Sequence, residues 1–172
     1  GGGHMEHSAQ EINIESAASI DGSVDEVWSM MTHAEPVKHP YRGVEEITFR
    51  PEDTTRLEEG TEIRLKLGMK IGLFALRGVV RVRIENFDEE QHYFTTSIIE
   101  APLDLQGDAT IALSPDPEDN GRTEMVFMGD FTVSRIMAKF ISADKIQRRA
   151  DGFMPKIGGM ISKQVRRLRH GS

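Results

Sequence analysis

Two short constellations in this sequence carry residue types that chemistry needs. The first, His33-x-Glu35-x-x-x-His39, offers two imidazoles and a carboxylate, donors that suit zinc. Zinc also needs those donors held in a fixed tetrahedron. This run contains Pro36 and Pro40 and no helical pattern, so it reads as a solvated loop, and no metal site is expected. The second constellation is His92, Tyr93 and Ser97, at the start of an alternating stretch. General acid–base work needs two titratable groups facing one cavity. One phenol and one hydroxyl on a strand face suffice only to orient a polar group of a bound molecule, and a satisfied polar residue is the plainer alternative. No residue is therefore assigned a catalytic role, and a non-enzymatic protein is the favoured reading. The chain has no nucleophile elbow, phosphate-binding loop, dinucleotide fingerprint or His-Glu-x-x-His, which argues against hydrolases and nucleotide enzymes. It has no cysteine, which excludes disulfides, thiolate nucleophiles and Cys-ligated metal, and no cofactor is expected.

The elements that would position these residues follow from periodicity. Glu11 to Asp21 is a first strand ending at the turn pair Asp21-Gly22. Ser23-Val24-Asp25-Glu26 has the form of a capping box, and Val24, Val27, Trp28 and Met31 then repeat at helical spacing, so a short helix runs to about Thr32. His33 to Tyr41 is a connection with room for one more helical turn. Strands follow at Gly43–Arg50, Thr61–Leu67, Leu73–Phe87, His92–Glu100, Gly107–Leu113 and Thr123–Val133, and the apolar tip Met69 and Ile71 lies in a loop between two of them. If the turn after Phe87 holds an even number of residues, Tyr93, Thr95, Ser97 and Ile99 face inward. Runs of strands followed by a helix indicate an α+β fold with an antiparallel sheet. At 172 residues with 38% hydrophobic content the chain suits one domain, from 6 to 172, with residues 1–5 read as a cloning remnant.

The last element is the most distinctive. From Ser134 to Arg169 the apolar residues Ile146, Ala150, Phe153, Ile157, Ile161, Val165 and Leu168 form one stripe of a long helix with a lead-in turn. Gly152, Pro155, Gly158 and Gly159 interrupt it, and a bend near Gly152–Pro155 is expected. The same stretch carries ten bases against two acids, while the whole chain is −7, so the remainder carries about −15. The basic face reads as solvated, or as paired with the chain's own acidic loops (Glu52, Asp53, Glu58, Glu59 or Asp88–Glu90) or an acidic partner, or as meeting anionic lipid headgroups. The acidic total argues against nucleic acid. No apolar run is long enough to span a bilayer, and a cytoplasmic protein, with membrane-peripheral contact as the variant, is the expectation.

The stretch Asp21-Gly22-Ser23-Val24-Asp25-Glu26-Val27-Trp28 resembles the opening of the SRPBCC superfamily, which includes the START and birch-pollen-allergen helix-grip folds. Gly60-Thr61, Lys70-Ile71-Gly72, Arg77-Gly78-Val79-Val80 and Gly121-Arg122-Thr123 are similar to the carbon monoxide dehydrogenase G-like subgroup, with polyketide cyclase-like proteins as relatives. The resemblance implies a seven-stranded curved antiparallel sheet wrapped around the C-terminal helix, short helices after the first strand, and a hydrophobic cavity between sheet and helix. It also implies an apolar small molecule or lipid as ligand, with a cyclase or aromatase activity, or recruitment of a redox enzyme to a membrane, as alternatives.

On that frame, Trp28, Val80, Val82, Tyr93, Ser97, Phe127, Phe131, Phe153 and Ile157 are the expected ligand-contacting residues. Their plainest alternative role is ordinary core. Two features favour a cavity: small Gly107, Ala109 and Gly129 on inward sheet faces, and the glycines at 152, 158 and 159 that thin the helix. The helix-grip arrangement would gather Met69, Ile71, Leu103, Met137 and Phe140 at the cavity mouth.

Overall fold

The computed structural model describes residues 9–71, 74–140 and 142–171, with backbone only at Ala9, Ile71, Phe74 and Phe140, so the expected remnant at 1–5 lies outside the described residues. The strands are β1 (Ala9–Asp21), β2 (Val37–Tyr41), β3 (Val44–Arg50), β4 (Glu62–Ile71), β5 (Phe74–Asp88), β6 (Tyr93–Glu100), β7 (Gln106–Asp116) and β8 (Asp119–Ser134). The helices are α1 (Val24–Met31), α2 (Arg135–Phe140) and α3 (Ala143–Arg169), with a 3-10 turn at Pro102–Asp104. All strands join one antiparallel sheet in the order β1-β8-β7-β6-β5-β4-β3-β2. The sheet has eight strands where seven were expected. The addition is β2, in the stretch read as a connection: it pairs with β3 through Val37–Ile47 and Tyr41–Val44. Pro40 fits there because an edge strand can spare an amide. One helix, not several, follows β1.

The start of α1 matches its sequence signal. Ser23 Oγ accepts from the Glu26 amide at 3.2 Å, and the Glu26 carboxylate accepts from the Ser23 amide at 3.0 Å. That carboxylate also receives Arg169 Nε at 2.7 Å, which ties α1 to the last turn of α3. The bond from Arg169, then those at Ser23, hold the Glu26 carboxyl at about 2, well below the usual 4.5. A depressed folded value stabilises the protein above the unfolded value and the effect disappears as pH falls from about 4.5 toward 2. With the Glu26 side chain 35% exposed, solvent screening limits this to about 1 kcal/mol. Urea midpoints at pH 6 and pH 3 should therefore converge in Arg169→Ala relative to the parent protein.

Helix α3 lies along the free edge of β1. The side-chain amide of Gln147 accepts from the Glu15 N–H at 3.2 Å and donates to the Glu15 carbonyl at 2.7 Å, in the manner of a neighbouring strand. Further along, Ser162 Oγ accepts from the Asp21 amide at 2.9 Å. An edge that would otherwise recruit another chain is thereby closed. Close approach requires Gly158: a Cβ there would stand 3.1 Å from Ala18 Cβ and 3.2 Å from the Ser19 carbonyl. Gly158 thus serves helix–strand contact, not a thinned lid. Gly152 and Gly159 are exposed and nothing lies within 4 Å of their absent Cβ atoms. The helix runs through Pro155 as a single element. The double variant Gly152→Ala/Gly159→Ala should gain about 1–2 kcal/mol, since alanine costs less backbone entropy in an exposed helix, and thermal denaturation would show it.

The core forms two clusters. One gathers Ile20, Val27, Trp28, Ile84, Phe94, Met125, Met154 and Val165 among others, and the second gathers Ile12, Ile14, Val133 and Met137. Phe127 packs against both.

Candidate ligand site

The concave face of the sheet is set by strand alternation plus two irregularities. On β5, Val80, Val82 and Ile84 face inward; a bulge between Ile84 and Asn86 then shifts the phase, and Phe87 becomes the next inward residue. Phe87 pairs directly with Phe94, their rings stacked at 6.2 Å. β6 therefore turns Phe94, Thr96 and Ile98 inward, and its other residues outward. This overturns the expected placement of Tyr93 and Ser97. Ser97 stands opposite Arg83 and Asp108 on the outer face, Thr95 accepts a hydrogen bond from Asn86 Nδ2 at 3.0 Å there, and Ile99 is 36% exposed. The physical cause is the extra residue in β5, which cannot be counted from alternation alone.

The other expected contact residues divide. Trp28 is 3% exposed inside the first cluster, with ring centroids 5.2 Å from Phe87, 5.4 Å from His92 and 6.1 Å from Phe94. It is a packing residue at the base of the fold. Val80 is buried and Val82 half-buried on the concave face, and among the described residues neither joins either core cluster. Leu65, Leu67 and Ile98 lie on the same face, are half-buried, and likewise belong to neither cluster. Phe127, Phe131 and Ile157 pack against the clusters. Phe153 is 36% exposed on α3.

The small inward residues do not leave the space that the sequence suggests. A Cβ on Gly129 would run into the Phe131 ring, and one on Gly107 would come within 2.8 Å of the ring and the Phe131 backbone. The two glycines, on paired strands, make a bed for Phe131. Further across the sheet, at β4–β6, Leu65, Leu67, Val82 and Ile98 are half-buried.

Of the mouth residues, Met137 is 5% exposed and packs in the second cluster, because α2 folds back onto β1 and β8. Met69 lies in β4 and not in a loop, and it covers Gly43, with its Cβ 3.0 Å from where a glycine Cβ would sit. Leu103 is 39% exposed, in the left-handed region at φ 61. The side chains of Ile71 and Phe140 lie outside the described residues. Leu103 is therefore exposed, whereas Met137 is packed in the core.

Sequence reasoning missed Tyr41. At the end of β2, the edge strand opposite β1, its ring meets Phe153 of α3 edge-on at 5.1 Å. This contact brings the far edge of the sheet to the helix and forms one lip of the concave space. Burial pushes the Tyr41 phenol up, so it stays a neutral donor. Its only sequence signal was a lone aromatic before Arg42-Gly43. Thr96 adds a second inward hydroxyl, bonded to the Ala109 carbonyl at 3.4 Å.

His33 pairs with Glu35 at 3.5 Å, His39 is exposed at φ 50, and no group of three ligand-type side chains gathers among the described residues. His92 pairs with Asp25 at 3.3 Å and packs edge-on against Trp28. On α3, Arg166 and Arg169 pair with Asp21 and Glu26, not with the acidic loops named from sequence; Glu89 instead pairs with Arg56. No helix of the described residues is long and apolar enough to cross a membrane.

No family model matches the chain, and no curated protein sequence does. Solved structures do. Norcoclaurine synthase from Thalictrum flavum, in complex with dopamine and hydroxybenzaldehyde, superposes with a TM-score of 0.62 at 17% identity over 96% of this chain and 91% of that one. The protein XoxI from Bacillus cereus gives 0.50 at 15% identity over 81% and 95%. At such identities the likeness concerns the fold: a curled antiparallel sheet around a long C-terminal helix, the helix-grip arrangement.

Proposed function

We propose that the protein binds an apolar small molecule or lipid between the concave face of β4–β6 and α3. The observation that carries this is the band Leu65, Leu67, Val80, Val82 and Ile98, which faces inward yet joins neither core cluster among the described residues. Of this band Val80 is buried and Leu65, Leu67, Val82 and Ile98 keep part of their surface open; covering such apolar surface is worth about 25 cal/mol per Å². Tyr41 and Phe153 form a lip beside the band, and the neutral phenol offers one directional contact to a ligand otherwise held by shape. Two surface depressions lined by described residues lie elsewhere, on the outer face of β3–β5 and beside the first turns of α3. An acid–base cyclase reading has lost its motive with Tyr93 on the outer face. Native mass spectrometry after mild purification, followed by titration with fatty acids and an apolar dye, tests the proposal. Saturable binding should weaken in Val82→Phe, which fills the band, and stay unchanged in Tyr93→Phe. No co-purified ligand and no saturable binding would overturn it.

A second reading, contact of α3 with an anionic membrane, rests on a separate observation. Lys145, Arg149, Lys156 and Lys163 recur at steps of four and seven on one exposed flank and enter no ion pair among the described residues. Phe153 and Met160, 36% and 37% exposed, run beside them. Each base near an anionic surface contributes about 1 kcal/mol. Co-sedimentation with phosphatidylserine vesicles should be salt-sensitive and should fall in Lys156→Glu/Lys163→Glu; indifference to lipid charge and salt sinks this reading.

A further inference from the structure

The outer face of the sheet carries a second feature that the concave groove does not explain. Arg64 on β4 stands directly across from Thr48 on β3 and from Arg81 on β5. Like charges placed opposite one another destabilise a sheet unless something answers them. Glu62, on the same face, answers mainly one of them: its carboxylate receives Arg81 at 2.6 Å but stays 3.8 Å from Arg64 Nε. The carboxyl is held below the ordinary carboxylate range by Arg81 first, with Arg64 and Arg50 adding to the effect, and Arg83 stands directly across from it. One acid thus serves a group of arginines and is saturated by Arg81.

The consequence falls on Arg64. Its Nε is buried and has no hydrogen-bond partner among the described residues, while the side chain as a whole keeps 34% of its surface exposed. Arg64 also lines a depression of about 160 Å³, together with Glu46, Thr48, Arg50, Lys66 and Val79. The lining holds three cations against one carboxylate. A water takes about 30 Å³ of liquid, so the space admits a tetrahedral oxyanion and a few waters. Arg50 Nη1 donates to the Phe49 carbonyl at 2.9 Å, and the ion pairs of these cations are peripheral: Arg50 lies 3.7 Å from Glu52 and Lys66 3.8 Å from Glu45, with those carboxylates 81% and 46% exposed.

We propose that this outer depression is an oxyanion site for a phosphate group, with the Arg64 guanidinium as its fork, Arg50 and Lys66 as flanking charges and the Thr48 hydroxyl as a neutral donor. A guanidinium presents parallel N–H groups that match two phosphate oxygens, which a lysine cannot do. Because the site lies on the face opposite the groove, its occupation does not compete with an apolar ligand.

The test titrates the full chain with sodium phosphate against sodium chloride at matched ionic strength, following thermal midpoint and calorimetric heat. Phosphate should give a saturable rise that chloride does not. Arg64→Gln should weaken phosphate at least about tenfold, the scale of a lost hydrogen bond to a charged group. Thr48→Val, an outward change on a strand, should weaken it several-fold with an unchanged circular dichroism spectrum, which keeps the test open if Arg64→Gln folds poorly. A short alkyl phosphate monoester and vesicles containing phosphatidic acid separate the sources: saturable binding of the monoester indicates a soluble phosphate, and vesicle binding that Arg64→Gln abolishes indicates a headgroup. Equal responses to phosphate and chloride, or phosphate binding that both variants leave intact, would overturn the assignment.

Discussion

Trp28→Ala is expected to cost about 3–5 kcal/mol, the range for truncating a large aromatic in a packed core. Trp28 is 3% exposed and touches Phe87, Phe94 and His92, so the substitution removes the side chain that joins α1 to the β5–β6 hairpin. Its indole Nε1 is buried and has no hydrogen-bond partner among the described residues, so the residue contributes through volume. Trp28→Phe should accordingly cost much less than truncation, because it retains an aromatic ring and removes an unsatisfied donor. Urea denaturation of both variants checks this. A Trp28→Ala loss below about 1 kcal/mol accompanied by abolished dye binding would instead make Trp28 a wall of the ligand site.

Gly107→Val should cost about 3 kcal/mol or more, through two effects that act together. Gly107 sits at φ +146, a conformation that side-chain-bearing residues rarely adopt, and it directly faces Phe131 across the β7–β8 ladder. A Cβ would meet the Asp130 carbonyl and reach 2.8 Å from both the Phe131 Cα and its ring. Backbone has nowhere to move in a paired strand, so the ladder must part or Phe131 must leave its bed. Amide hydrogen exchange along β8 should accelerate around Asp130–Thr132, and denaturant midpoints should fall. If exchange at these amides stays slow while stability falls, the damage lies elsewhere and the packing of Phe131 on its glycines is not the cause.

Local order was legible where one residue type meets one local demand. The Ser23–Glu26 capping box, the alternation of Val80, Val82 and Ile84, and most of the helical stripe (Ile146, Ala150, Ile157, Ile161 and Val165, but not Leu168, which is 65% exposed) appear in the fold because hydrogen-bond satisfaction and apolar periodicity act over a few residues. The resemblance carried the next level, the sheet curled around a C-terminal helix, with β2 missed because five residues containing a proline give no strand period.

What sequence alone determined, then, is the order of elements, the α+β class, the amphipathic character of α3 and its basic flank. Tertiary structure decided which face each β6 side chain took, since the bulge beyond Ile84 exists only in relation to the partner strand and exchanges Tyr93 for Phe94. It also decided what the glycines are for: Gly107 and Gly129 receive Phe131, and Gly158 receives β1, because an empty Cβ position has meaning only when the neighbour that fills it is known. Tyr41 and Phe153, 112 positions apart, meet because the far edge of the sheet curls back to the helix. Such a contact rests on long-range curvature, and no local pattern in either segment encodes it.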